Sequence, residues 1–76
     1  MGFWSEMQTN ALFVRLTDKG FAQYLDTIVD QSIPDMSPSQ IRTLLDMLDG
    51  FGNRDRAYAD KIQGIIRAKA RAAGKL

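Results

Sequence analysis

The sequence predicts an all-α fold, a small bundle of three to four short helices that forms one domain over residues 1–76. Apolar residues recur at spacings of three and four, which is the periodicity of an amphipathic helix. Two Ser-x-x-Gln motifs, at Ser5 and Ser37, precede apolar runs as helix-capping boxes do. A chain of 76 residues that is 45% hydrophobic and 25% charged has the composition of one ordinary globular domain with a thin core.

The first helix is predicted near residues 5–16, starting at the capping box that Ser5 forms with Gln8. Three apolar residues follow at helical spacing: Met7, Ala11 and Val14. Three others project to different sides: Leu12, Phe13 and Leu16. Because apolar residues fall on more than one face, a strand over residues 11–16 stays open as an alternative.

The second helix is predicted near residues 17–31, with Thr17 as its cap. Five residues form its apolar face: Phe21, Tyr24, Leu25, Ile28 and Val29. Their positions follow the i, i+3, i+4, i+7, i+8 pattern of a helix with one buried side. Pro34 disfavours helical geometry at the residue before it, so the helix is expected to end near Gln31.

The third helix is predicted near residues 37–49 and has the most complete start signal in the chain. Ser37 is the cap, Pro38 occupies the first helical position, and Gln40 completes the box. Its apolar face consists of Ile41, Leu44, Leu45 and Leu48. Gly50 is expected to end the helix in a left-handed conformation, with Phe51 folding back on the last turn.

The fourth helix is predicted near residues 53–73, with Asn53 as its cap and a frayed end toward Gly74. Its apolar face consists of Tyr58, Ile62, Ile65 and Ile66. The connections are short, so neighbouring helices are expected to pack roughly antiparallel.

The composition argues against catalysis and metal binding. The chain has no His and no Cys, which excludes imidazole bases, thiolate nucleophiles and zinc sites built from either residue. The stretch from Asp49 to Asp60 resembles a calcium loop only faintly, since Phe51 and Arg54 stand where a ligand and a glycine are required. Asp26 and Asp30 are expected to lie on a solvated helix face. We therefore expect a protein that is not an enzyme and has no metal and no cofactor.

Charge is distributed unevenly along the chain. Residues 1–53 contain three basic and seven acidic residues, a net charge of −4, whereas residues 54–76 contain seven basic and two acidic residues, a net charge of +5. The proposed contact stripe on the fourth helix consists of Arg56, Lys61, Arg67, Arg71 and Lys75. Such a stripe can follow the phosphates of a nucleic acid, contact an acidic protein, or simply solvate the helix.

The fourth helix also carries three small residues spaced four apart: Gly64, Ala68 and Ala72. A glycine inside a helix costs about 1 kcal/mol relative to alanine, and close approach of a second backbone is one reason to keep it. We therefore expect a homodimer in which these residues form the self-association surface. The alternative is that the last turns are simply rich in alanine.

Large apolar residues exceed what so small a core can hide, and three of them are candidate partner contacts: Phe3, Trp4 and Met47. Trp4 either closes the end of the bundle or joins Phe3 in an exposed anchor. The predicted function is binding of another protein, as in small adaptors, regulators and inhibitors, some of them encoded by phages and mobile elements. The alternative is nucleic-acid binding through the fourth helix. With no long apolar run or targeting signal, a cytoplasmic location without membrane contact is expected.

Overall fold

A computed structural model describes residues 3–76 of the chain. It contains four α-helices: α1 (Glu6–Thr17), α2 (Leu25–Ser32), α3 (Pro38–Phe51) and α4 (Arg56–Ala72). Two 3₁₀ helices flank α2, the first over Lys19–Tyr24 and the second over Ile33–Asp35. The described residues include no strand, so the all-α prediction is confirmed and residues 11–16 are helical.

The helices form a ring in which α1 and α4 each pack against both α2 and α3. In this arrangement α1 and α4 lie diagonally across the bundle. The apolar core is aliphatic apart from one methionine, and its largest fully buried side chains include Leu16, Leu25, Met36, Ile41, Leu44, Leu48, Ile62 and Ile66. The outward faces of α1 and α4 therefore point away from each other, on opposite sides of the molecule.

Both predicted capping boxes are confirmed. The Ser5 hydroxyl accepts a hydrogen bond from the Gln8 backbone N–H at 3.2 Å, and the Gln8 side chain accepts one from the Ser5 N–H at 2.7 Å. Ser37 and Gln40 make the same pair of bonds at 3.2 and 2.8 Å. These bonds satisfy N–H groups that a helix start leaves free, so the sequence alone defines where α1 and α3 begin.

The predicted helix over residues 17–31 is wrong in its first half. Thr17 ends α1, and the Asp18 carboxylate accepts a hydrogen bond from the Gly20 N–H at 2.9 Å, which starts the first 3₁₀ helix. A 3₁₀ helix has three residues per turn instead of about 3.6, so its side chains do not follow the face predicted for an α-helix. As a result Phe21 and Tyr24 are exposed, while Leu25 is buried. Only the second half of the predicted apolar face therefore reaches the core.

The predicted end of the third helix is also wrong. Gly50 is helical, α3 continues to Phe51, and Gly52 has φ −60°, so no left-handed glycine ends this helix. The Phe51 ring, in the last turn of the helix, packs edge-on against Phe13, with centroids 6.3 Å apart. The cap of α4 is Asp55 rather than the predicted Asn53, since the Asp55 carboxylate accepts a bond from the Tyr58 N–H at 3.2 Å.

The predicted fraying toward Gly74 is wrong as well. Gly74 has φ +72°, the left-handed region that glycine adopts without a Cβ penalty. The Gly74 N–H donates to the Arg71 carbonyl at 3.0 Å, and the Lys75 N–H donates to the Ala70 carbonyl at 2.8 Å. These two bonds form a Schellman motif, so α4 has a defined end that turns the chain back toward the bundle.

One buried polar side chain, Gln63, joins α3 to α4. Its amide nitrogen donates to the Leu45 carbonyl at 3.0 Å and to the Asp49 carboxylate at 2.8 Å. Its amide oxygen accepts a bond from the Arg56 guanidinium at 3.0 Å. A buried amide is tolerated when its hydrogen-bonding groups are used, as they are here.

Candidate interaction surfaces

The outer side of α1 carries large apolar side chains that no other part of the described chain covers. Its inner side is set by Thr9, Leu12 and Leu16, which are buried. Because 100° separates successive residues, Met7 and Val14 then face away from the core, and they are 79% and 63% exposed. Phe3, which precedes the helix, is 86% exposed. Isolated apolar side chains on a surface are common, but here two lie on the same outward side of α1 and a third stands just before its first turn; we call these three residues the α1 patch.

A groove lies between α1 and α3, on the flank of α1 next to the side that carries Met7 and Val14. One half of the groove is lined by Phe13, Thr17, Met47, Gly50, Phe51 and Arg54. The other half is lined by Glu6, Thr9, Asn10, Gln40, Thr43 and Met47. Met47 belongs to both halves and is half-buried. We refer to Phe3, Met7, Val14, Phe13, Met47 and Phe51 together as the α1–α3 surface.

Trp4 and Phe3 differ in their surroundings. The Trp4 indole N–H donates to the Thr9 hydroxyl at 2.7 Å, and the Trp4 carbonyl accepts a bond from the Gln40 side chain at 2.6 Å. The Trp4 side chain is half-buried and packs against the core. Of the two readings left open for Trp4, this geometry favours closure of the bundle end, which leaves Phe3 as the exposed aromatic residue of the pair.

The five cations of the predicted stripe fall into two groups. Arg56 is paired within α4 with Asp60 at 2.9 Å and also bonds Gln63, while the Lys75 ammonium donates to three backbone carbonyls. Lys61, Arg67 and Arg71 are exposed, and no carboxylate of residues 3–76 lies within 4 Å of their charged groups. The cations available to a partner on α4 are therefore these three.

The small residues of α4 lie on its outward face. Gly64, Ala68 and Ala72 are all exposed, and a Cβ placed on Gly64 would meet nothing within 4 Å. Shallow grooves lie on either side of Ala68, and Asp26, Asp30 and Lys69 line them. The strip is thus open, as a self-association surface must be in a single chain.

Two lysine residues pair with carboxylates, among them Asp26 and Asp30, which the sequence suggested were only solvated. Lys69 lies 2.9 Å from Asp30 and 3.8 Å from Asp26, and the hydrogen bond to Asp30 raises the pKa of Lys69. Lys19 lies 2.7 Å from Asp55, and this hydrogen bond lowers the pKa of Asp55 and raises that of Lys19. The Lys69 pair links α4 to α2, and the Lys19 pair links the first 3₁₀ helix to the start of α4.

Tyr58 lies where α4 meets the first 3₁₀ helix. Its ring packs edge-on to Phe51 with centroids 6.4 Å apart, and the Lys19 ammonium lies 5.3 Å from its centroid. Burial raises the pKa of the Tyr58 phenol. Its hydroxyl oxygen is enclosed and finds no hydrogen-bond partner among the described residues.

Sequence reasoning missed Met7 and Val14 as contact residues, although their spacing was visible. The helical periodicity places Met7, Ala11 and Val14 on one side and Leu12 with Leu16 on another. A chain with two apolar faces on one helix can bury only one of them when the helix is at the edge of a four-helix ring. The signal was therefore present, but which face would be buried depended on the tertiary packing.

The described part of the chain has neither a metal-binding cluster nor a membrane-spanning helix. Over residues 3–76, no three His, Cys, Asp or Glu side chains come together in a group that could hold a metal ion. Nor does any helix in that range have both the length and the apolar character needed to cross a bilayer. In comparisons with protein-family models, curated proteins and solved structures, the chain matches none.

Proposed function

We propose that this chain is a non-enzymatic protein that binds another protein through the α1–α3 surface, as a small adaptor, regulator or inhibitor does. The observation that carries the proposal is the exposure of Phe3, Met7 and Val14, together with a nearby groove whose one half contains the rings of Phe13 and Phe51. Aromatic residues and methionine are enriched at protein interfaces, and a few such side chains supply most of the binding free energy.

The dimensions and charges of the groove favour one kind of partner. Along α1 the groove spans about 18 Å, because twelve residues rise about 1.5 Å each. A partner helix of about three turns fills that length and lays its apolar face into the groove. Glu6 lines one end and Arg54 the other, so the helix is expected to carry a basic group at the first end and an acidic group at the second.

The experiment compares two sets of variants in binding to the partner, which is first isolated by affinity capture from nuclease-treated extract and then purified. Met7→Ser with Val14→Ser removes apolar groups from the proposed surface. Tyr24→Ser removes an exposed aromatic group that lies outside it. We expect the double variant to weaken binding by about tenfold or more, and the control to bind like the original chain. Equal affinity of all three proteins would reject the α1–α3 surface.

Nucleic-acid binding is the second candidate, favoured by the three unpaired cations Lys61, Arg67 and Arg71 on α4. The stretch from the first to the last of them covers eleven residues of helix, about 15 Å along its axis, which spans several phosphates of one strand. If these cations contact phosphates, a plot of log affinity against log salt concentration has a negative slope that is no steeper than about −3. Reversal of the charges at Arg67 and Arg71 would then abolish binding, whereas a partner on the α1–α3 surface would be retained.

Self-association across Gly64, Ala68 and Ala72 stays a prediction. The open strip fits it, and charged groups of both signs border the strip, since Asp26, Asp60 and Lys61 line the groove beside Gly64. A border of mixed sign suits contact between two copies better than contact with a uniformly anionic polymer.

A further inference from the structure

We propose that the backbone carbonyls of Ile33, Pro34 and Met36 form a binding site for a primary ammonium group, and that Lys75 of the same chain occupies it. The Lys75 Nζ lies 2.8 Å from the Ile33 oxygen, 2.9 Å from the Pro34 oxygen and 2.7 Å from the Met36 oxygen. An ammonium group has three N–H donors, and three acceptors at hydrogen-bond distance use all of them.

The three carbonyls are available because a helical segment ends there. α2 runs directly into the second 3₁₀ helix, and Met36 leaves helical geometry with ψ 141°. The last carbonyls of a helix have no N–H partner further along it, and together they form the negative end of its dipole. The Met36 N–H donates to Ile33 at 3.2 Å, which leaves the second lone pair of that oxygen for Lys75.

The Schellman motif at the end of α4 delivers the lysine to this position. Gly74 at φ +72° reverses the chain, and the Lys75 N–H is held by the Ala70 carbonyl. The backbone of residue 75 is therefore held in place independently of its side chain, which extends to the corner between α2 and α3. Residues 73–75 act as a strap that joins the end of α4 to that corner.

The site is selective for the type of donor. All three ligands are neutral carbonyl oxygens that converge on one point, so they favour a compact group with three N–H bonds. A guanidinium presents its donors in a planar fork, and a quaternary ammonium has no N–H at all. A site vacated by Lys75 is therefore expected to take up a free primary amine. This inference does not depend on the proposed protein-binding function.

The test removes the lysine and supplies an ammonium from solution. We expect Lys75→Ala to lower Tm by about 5 °C in a domain of this size, and methylammonium chloride to restore part of that loss. Tetramethylammonium chloride at equal ionic strength is expected to restore none of it. The matched control is Lys61→Ala, whose ammonium has no carboxylate partner and lies on the exposed face of α4.

The outcomes separate the proposal from its alternatives. The ammonium site is rejected if Lys75→Ala has the same Tm as the original chain, or if the two salts raise the Tm of Lys75→Ala equally. Should Lys75→Ala not fold, the original chain still allows the test, because a held ammonium exchanges its protons slowly with water. The NMR signal of such a slowly exchanging ammonium group is expected for Lys75 and not for Lys61. If neither lysine gives this signal, the proposal is overturned.

Discussion

The amide of Gln63 makes three hydrogen bonds, two to α3 and one to Arg56 on its own helix, although the other buried residues on that face of α4 are aliphatic. Its partners come from both helices and include one guanidinium and one carboxylate. Charge-assisted bonds of this kind are about twice as strong as neutral ones. At the scale of single residues, therefore, a polar cluster fixes how α3 and α4 align, and it was not visible as a pattern in the sequence.

Replacing Gln63 by leucine keeps the side-chain volume and removes both ends of the amide. We expect Gln63→Leu to lower the free energy of unfolding by about 2–3 kcal/mol, because two hydrogen bonds between α3 and α4 are lost and the Arg56 guanidinium loses an acceptor. Urea denaturation of this variant and of Gln23→Leu, at an exposed position, measures the effect. A change below about 0.5 kcal/mol at position 63 would show that the cluster contributes little.

The Lys19–Asp55 pair makes stability depend on pH in a defined direction. The pKa of Asp55 is lowered in the folded chain, so its contribution is present above the ordinary value of 3.8 and is lost as pH falls through the lowered value. Asp55→Asn keeps an N-cap residue and removes the charge. We expect the difference in stability between the original chain and Asp55→Asn to shrink as pH falls below about 4.

The control for this experiment is a double-mutant cycle with Lys19→Gln. If the hydrogen bond from Lys19 is the main cause of the shift, the pH-dependent part of the Asp55→Asn effect disappears in the Lys19→Gln background. A difference that stays constant from neutral pH down to about pH 2 would contradict the assignment.

At the scale of the helices, what could be predicted from the sequence was local. The capping boxes at Ser5 and Ser37 are complete within four residues, so α1 and α3 begin where expected. At the end of α3, Phe51 contacts Phe13, a residue far away in the sequence that no local pattern could indicate. The 3₁₀ turn after Asp18 likewise overrides an apolar spacing that is regular over residues 21–29. Tertiary contacts and turn chemistry decided both cases.

Three glycines test these helix assignments through alanine substitution. Gly50 and Gly64 are helical, and an added Cβ meets nothing within 4 Å at either position. We expect Gly50→Ala and Gly64→Ala each to stabilise the fold by up to about 1 kcal/mol. Gly74→Ala is expected to destabilise it by about 1 kcal/mol, because only Gly74 has a positive φ. Thermal unfolding measures all three, and a stabilising Gly74→Ala would contradict the Schellman end.

At the scale of the whole molecule, the diagonal placement of α1 and α4 separates two surfaces of different character. The α1 side presents large apolar groups, whereas the α4 side presents small residues between exposed cations. The sequence identified the second surface from charge and spacing, and it named Phe3 and Met47 on the first. It could not identify Met7 and Val14, because the side of α1 that is buried follows from the ring of four helices.

Self-association is a property of the whole molecule, because it requires the α4 side to contact a second copy of the chain. If it does, Gly64→Leu is expected to shift sedimentation at micromolar concentration toward the monomer, because a large side chain separates the two backbones. Gly50→Leu, on an exposed part of α3, is the matched control. A chain that sediments as a monomer at high concentration would remove the hypothesis.

The central claim is that a protein partner binds the α1–α3 surface, and NMR mapping of the isotope-labelled chain with the purified partner tests it most directly. We expect the largest shift changes at the methyl groups of Met7, Val14 and Met47 and at the backbone amides of Phe13 and Phe51. The amides between Lys61 and Arg71 are expected to change little. Changes confined to that stretch of α4, with the α1–α3 surface unaffected, would contradict the account.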